Sequence, residues 1–150
     1  MAWDVPDFAT LLALETHGPD VYVGISPEYP WGRVYGGQVV AQGLRAAQST
    51  VDSDHHVHSL HAYFILPGDV KAPIVYEVES LRDGGSFTTR RVTAIQHGRP
   101  LFNASLSFHR EEPGLDHQTE AAPDAPAPDA VTSERDLARA VADRIPEPLR

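Results

Sequence analysis

Gly36-Gly37-Gln38-Val39-Val40-Ala41-Gln42-Gly43-Leu44-Arg45-Ala46-Ala47-Gln48-Ser49 is the stretch on which the fold of this chain turns. Residues 38–49 hold no proline and, beyond Val39 and Val40, no β-branched crowding, while Ala, Leu, Gln and Arg favour helix. Val40, Leu44 and Ala47 recur at i, i+4 and i+7 on one face, and Ala41, Gly43 and Ala46 keep the rest of the surface thin. A helix with small residues all round is one that a sheet can wrap. The two glycines at its start leave backbone amides unobstructed by side chains, and free amides at a helix N-terminus can stabilise an oxyanion or hold a phosphate. They serve equally well to let a loop pass close to a sheet. Gln38, next to them, carries an amide able to orient a water or a carbonyl.

Working outward, residues 6–15 read as a short helix capped by Asp4, with Pro6 in its first turn and Phe8, Leu11, Leu12 and Leu14 as its apolar residues. Val21, Val23 and Ile25 alternate as in a strand with one buried face, which Ser26-Pro27 ends. Beyond the long helix come four extended segments, residues 56–66, 74–81, 86–96 and 101–109. Pro67-Gly68-Asp69, Asp83-Gly84-Gly85 and His97-Gly98-Arg99-Pro100 supply the turns, and antiparallel neighbours are the economical reading. In the last segment Phe102, Ala104, Leu106 and Phe108 point one way and Leu101, Asn103, Ser105 and Ser107 the other. Strand, long helix, then four antiparallel strands is an α+β layout in which the sheet must curl round the one helix able to cover it: the hotdog fold.

With 150 residues and 41% hydrophobic content, the chain suits one compact domain and a tail. Its net charge of -9 is uneven: residues 1–110 carry 8 basic and 11 acidic groups, and residues 111–150 carry 4 and 10. The near-neutral part has no basic stripe for a phosphate backbone, so nucleic acid is not an expected partner. Cysteine is absent, which removes thiolate metal ligands, disulfides and a cysteine nucleophile together. With no membrane-length apolar run and neither a basic start nor an apolar signal core at residues 1–10, a cytoplasmic protein is expected. Residues 1–110 form the expected hotdog domain. Residues 111–131, with Pro113, Pro123, Pro126 and Pro128 among Ala and acidic groups, read as a linker. Residues 132–150 hold a capping box at Ser133-Glu134-Arg135-Asp136 and apolar Leu137, Val141 and Ile145 up to Pro146, a short helix and tail leading towards a second repeat.

Gly-x-Ser-x-Gly, the phosphate-loop motif, Gly-x-Gly-x-x-Gly and His-Glu-x-x-His are all missing, which excludes the enzyme classes built on them. His55-His56-Val57-His58-Ser59-Leu60-His61 resembles a metal site until the strand period is applied. His56 and His58 then share one face and His55 and His61 the other, with His55 and His61 roughly 20 Å apart at about 3.3 Å per residue, so no metal is expected. Arg82-Asp83-Gly84-Gly85-Ser86-Phe87 reads as a hairpin turn or a ligand-contacting rim, and Arg90 and Arg91 must face opposite ways.

Val34-Tyr35-Gly36-Gly37-Gln38-Val39-Val40, Val57-His58-Ser59-Leu60-His61-Ala62-Tyr63-Phe64, Pro67-Gly68-Asp69 and Arg82-Asp83-Gly84-Gly85-Ser86-Phe87, in this order and spacing, resemble the amino-terminal half of the acyl-CoA thioesterase II, or TesB-type, family. The resemblance runs from about Leu11 to His109 and, more weakly, through His117-Gln118 and the Pro/Ala linker. It implies a double hotdog of two repeats that hydrolyses fatty acyl-CoA to free acid and coenzyme A without a cofactor. It also implies that the Asp, Thr and Gln that orient the attacking water belong to the second repeat, beyond this chain. His58 matches a first-repeat histidine considered as a catalytic candidate; Gly36, Gly37 and Gln38 would sit by the thioester or pantetheine arm, and Asp83 and Ser86 on a rim. Partners would be the acyl-CoA substrate and either a second copy or a second hotdog repeat. Two alternatives stay open: a non-catalytic binding or assembly half, and an acyl-CoA hydratase or dehydratase using His58 with Asp83.

Overall fold

The computed structural model describes residues 7–141, so the expected roles of Asp4, Pro6, Ile145 and Pro146 lie outside the described residues. The chain divides after Pro113 into two units. The first begins with α1 (Phe8–Leu11), where Thr10 N donates to Asp7 Oδ1 at 2.8 Å. This helix is shorter than residues 6–15 because Glu15 is already extended: β1 (Glu15–Gly18) pairs with β2 (Val21–Gly24) across a tight reversal with Asp20 at φ 57. β1 has no apolar alternation to announce it; it exists because β2 offers an unpaired edge.

α2 (Gly36–Gln48) follows, then β3 (His55–Phe64), β4 (Ile74–Asp83), β5 (Phe87–Gln96) and β6 (Arg99–Arg110). The six strands form one antiparallel sheet in the order β1-β2-β4-β5-β6-β3. Consecutive pairing therefore holds from β4 to β6 but not for β3, which crosses over to pair with β6. Pro67-Gly68-Asp69 is a crossing rather than a hairpin. Its backbone is held at the sheet end, with Val34 N donating to Gly68 O (3.1 Å) and Asp69 N to Gln96 Oε1 (2.8 Å), while Gln96 Nε2 donates to the carbonyls of Asp69 and Ala72. The β5–β6 reversal is tighter than the expected four-residue His97-Gly98-Arg99-Pro100 turn, because His97 and Gly98, both left-handed at φ 51 and 70, complete it and β6 already begins at Arg99.

The helix lies on the inner face of the sheet, burying Ile74, Tyr76 and Val78 of β4, Val92 and Ala94 of β5, and Phe102, Ala104, Leu106 and Phe108 of β6. A Cβ on Gly43 would stand 3.4 Å from Phe102 and 3.6 Å from Val92, so the helix backbone lies within a single methyl's contact of the sheet. The deepest face is Val39, Gly43, Ala46 and Ala47, with Gln38 and Gln42; Val40 and Leu44, expected at its centre, pack at its margin. The sheet approaches from the side of the smallest residues, where backbone contact is closest.

Among its described residues the second unit contains a 3-10 turn at Pro128–Ala130 and α3 (Glu134–Val141). Ser133 caps α3 as its sequence implies, accepting from Asp136 N at 3.2 Å and donating to Asp136 Oδ2 at 2.7 Å. Among the described residues no helix is long and apolar enough to cross a membrane.

Candidate functional site

At the start of α2 the amides of Gly36 and Gly37 have no intrahelical acceptor, and the N-cap, Tyr35, makes no side-chain hydrogen bond; its carbonyl takes Gln38 N (3.1 Å) and Val39 N (3.3 Å) instead. Two exposed aromatic rings stand close over the glycines. A Cβ on Gly37 would meet the Tyr35 ring at 2.5 Å, and one on Gly36 the Phe64 ring at 3.1 Å. Gly36 lines a cavity of about 290 Å³ whose walls are Val39, Phe64, Ile65, Pro67 and Phe102 among others; no ionisable side chain lines it. A register shift at the start of β6 leaves Leu101 as an extra residue, and its carbonyl accepts from both Ile65 N (2.7 Å) and Leu66 N (3.1 Å), which seals the cavity floor. Positive partial charge from the helix N-terminus therefore meets an apolar chamber.

Gln38 is not free to reach that chamber. It is buried, its Oε1 accepts from Tyr29 Oη (2.9 Å), and its Nε2 donates to Ile25 O (3.0 Å) and Ser26 Oγ (2.9 Å). One turn on, buried Gln42 donates to Leu11 O (2.7 Å) and Ile25 O (3.2 Å) and accepts from Tyr76 Oη (2.7 Å). Burial pushes the Tyr76 and Tyr29 hydroxyls up, keeping both neutral donors. This network pins α1 and the loop after β2 to the helix. Its only sequence signal is two glutamines at i and i+4, which an apolar-face reading passes over. Gly24 belongs to it, because a Cβ there would stand 2.8 Å from Gln42 Oε1.

Asp83 and Ser86 lie at the other end of α2, roughly 18 Å along the helix at about 1.5 Å per residue. Arg90, buried there, uses every nitrogen: Nε to Thr50 Oγ1 (2.8 Å), Nη1 to the carbonyls of Arg82 and Thr89 (3.1 Å each), Nη2 to Thr50 O (2.9 Å) and Asp83 Oδ1 (2.6 Å). Arg91 faces the opposite way, as alternation requires, to Glu79 at 3.0 Å. Ser86 Oγ donates to Glu112 Oε1 at 2.7 Å.

His58 occupies a third place. The β3–β6 register shifts between Val57 and Ser59, so His58 is the extra residue of a bulge, exposed on the outer face with Nε2 2.8 Å from Ser107 Oγ and its ring beside Phe87 and His109. The same bulge carries His61 onto that face, opposite Ser105 and alongside His56, which corrects the simple alternation that paired His61 with His55. His55 is buried, Nδ1 2.8 Å from Asp54 Oδ1 and Nε2 without a partner. Asp52, Asp54 and His55 form the one metal-sized cluster among the described residues, but Asp54 already serves His55 and, at 2.8 Å, the Arg110 guanidinium, whose charge opposes a cation. The sequence-derived site residues thus fall into three groups: Gly36 at the apolar cavity with Gly37 beside it on the helix start and Gln38 behind, Asp83 and Ser86 at the far end, and His58 on the opposite face.

An antiparallel sheet wrapped on a helix with an uncapped glycine start defines a hotdog-fold domain. Residues 25–109 match the acyl-CoA thioesterase N-terminal domain, and the chain belongs to that family. It is 42% identical over 139 residues to acyl-CoA thioesterase 2 of Haemophilus influenzae, covering 93% of this chain and 48% of that protein. Human acyl-coenzyme A thioesterase 8 is 44% identical, over 80% of this chain and 38% of its own length. Among solved structures, acyl-CoA thioesterase II of Mycobacterium marinum superposes with a TM-score of 0.70 at 43% identity, covering 80% of this chain and 44% of that one. A hot dog fold protein from Alicyclobacillus acidocaldarius gives 0.75 at 26% identity, covering 85% and 48%. The chain thus spans about half the length of these relatives or less.

Proposed function

We propose that this chain is the first half of a double-hotdog enzyme that hydrolyses fatty acyl-CoA, contributing the oxyanion-stabilising helix start and an apolar chamber while a second repeat contributes the groups that activate water. The observation that carries this reading is the cavity itself: Gly36 of the uncapped helix start in its lining, apolar walls, and no acid or base there. Such a chamber can polarise a thioester carbonyl and stabilise the charge that develops on its oxygen. It cannot remove a proton from water, so general-base chemistry has to enter from outside it. Gln38 serves by bracing the loop and the helix start. His58, Asp83 and Ser86 lie outside the chamber and have no part in this mechanism.

The missing groups have an evident entry. β3 pairs with β6 on one side and with no described strand on the other, and its inner-face residues Leu60, Ala62 and Phe64 are covered only in part, Phe64 staying 61% exposed. A ten-residue edge with a partly bare apolar face calls for cover. A second hotdog repeat, or a second copy of this one, supplies it and brings its side chains to the mouth of the chamber. The hydratase alternative gains nothing from the geometry, since His58 bonds Ser107 and Asp83 bonds Arg90.

Coenzyme A release from octanoyl- and palmitoyl-CoA, followed with a thiol reagent against a protein that itself has no cysteine, tests the reading. The chain alone should bind acyl-CoA saturably with no turnover, and joining a second repeat should confer turnover. Hydrolysis by the chain alone at the rate of the joined protein would overturn the division of labour, and absence of acyl-CoA binding would overturn the site.

A further inference from the structure

A second cavity of about 250 Å³ adjoins the first, sharing Leu66, Pro67 and Leu101 as a common wall and bounded beyond them by Asp69, His97 and Arg99. Its polar groups are unequally answered. Gln96 is fully used in holding the crossing loop. Asp69 accepts from Lys71 N at 2.9 Å and has His97 Nε2 at 3.4 Å, and the Lys71 amide bond, with help from His97 and the Lys71 ammonium, holds its carboxyl below the ordinary range. The Asp69 carboxylate therefore stays ionised, with its oxygens already engaged by Lys71 N and His97 Nε2. Arg99 is not engaged: its guanidinium has no hydrogen-bond or ion-pair partner among the described residues, whereas Arg90, Arg91 and Arg110 pair with Asp83, Glu79 and Asp54.

Two anion-attracting points therefore stand on either side of one apolar wall, the Gly36–Gly37 helix start and the free Arg99. A ligand that fits both has a carbonyl at one end, a weakly polar arm, and a strongly anionic group at the other. We propose that Arg99, with Lys71 as a neighbouring charge, receives the phosphate groups at the nucleotide end of the coenzyme A thioester whose carbonyl lies at Gly36 and Gly37. The inference rests on the thioester reading above and adds to it the end of the chamber at which the coenzyme leaves for solvent. An exposed arginine at this lip contributes attraction and orientation more than raw affinity, and its effect falls with salt.

Calorimetric titration of the full chain with two thioethers that cannot be hydrolysed, S-octyl-coenzyme A and S-octyl-pantetheine, separates the two claims. Arg99→Ala should weaken S-octyl-coenzyme A about fivefold at low salt and flatten its salt dependence, leaving S-octyl-pantetheine unchanged. Arg99→Lys should keep most of the affinity, and Arg45→Ala, in the last turn of α2 and away from both cavities, should leave both ligands unaffected. If Arg99→Ala binds both thioethers as the parent does while Gly36→Val weakens both, the phosphate site is overturned and the thioester chamber stands. If the parent binds neither, both fall. Displacement of S-octyl-coenzyme A by an equal concentration of inorganic phosphate would mark a simple anion site and overturn the proposal as well.

Discussion

The two ends of α2 pose opposite chemical problems. At its C-terminal end Arg90 carries five hydrogen bonds and ties the loop after the helix to the last residues of β4, so each donor nitrogen that end buries on Arg90 is answered within the chain. At its N-terminal end two amides have no acceptor among the described residues, the N-cap side chain offers none, and the aromatic ring of Phe64 stands largely in the open. A buried charge left without partners costs several kcal/mol, so the closed end cannot be left unfinished. A helix start facing an apolar chamber costs much less to leave open and is useful only when something enters. The difference separates a region that maintains the fold from one reserved for a ligand and a partner.

The sharpest way to break the comparison is Arg90→Ala. It strips donors from Thr50, Arg82 and Thr89 together, and the urea midpoint should report a loss of about 3–5 kcal/mol. Gln42→Leu comes next, at about 2–3 kcal/mol, because the Tyr76 hydroxyl loses its acceptor in a dry site and the Leu11 carbonyl loses its side-chain donor, Ile25 O keeping that of Gln38. At the open end Gly36→Val should move stability by less than about 1 kcal/mol, since the ring it meets is exposed and able to shift, yet weaken acyl-CoA binding by tenfold or more, about 1.4 kcal/mol. A loss of stability there as large as that of Arg90→Ala would erase the distinction. Asp83→Asn should cost under about 1 kcal/mol, because that carboxylate, unlike Arg90, stays two-thirds in solvent.

The smallest effect is in pH. Asp54 is held below its ordinary range chiefly by its hydrogen bond to His55, Asp69 chiefly by the Lys71 amide, and Asp7 by Thr10. For a carboxyl whose folded pKa is depressed, the added stability is complete above the unfolded value of about 3.9 and disappears as pH falls through the folded value. Denaturation midpoints should therefore fall below pH 4 and change little between pH 5 and 7 on account of these three groups. An Asp54→Asn variant should show a shallower fall.

Elements whose period is carried by side chains were legible in advance. The alternation of Phe102, Ala104, Leu106 and Phe108 placed β6 and its inner face correctly, and the small residues of α2 announced a helix approached closely by a sheet. β1 was not legible, because Glu15-Thr16-His17-Gly18 pairs through its backbone and buries none of its side chains fully. Nor was the bulge at His58, which moves His61 to the other face without leaving a mark in residue type. Local patterning records what a residue prefers on one element; it does not record which edge that element meets or where a register slips.

The sequence by itself determined an α+β hotdog domain of the acyl-CoA thioesterase N-terminal family, the long helix with its glycine start, and a reversal beginning at His97-Gly98. Tertiary structure alone decided that β3 leaves its neighbour in sequence to pair with β6, that Gln38 is spent on Tyr29, Ile25 and Ser26, and that Asp83 and His58 lie away from the chamber at Gly36. The physical reason is the same in each case. Hydrogen-bond partners distant in sequence compete for the same donors and acceptors, and only the folded packing settles which of them arrive.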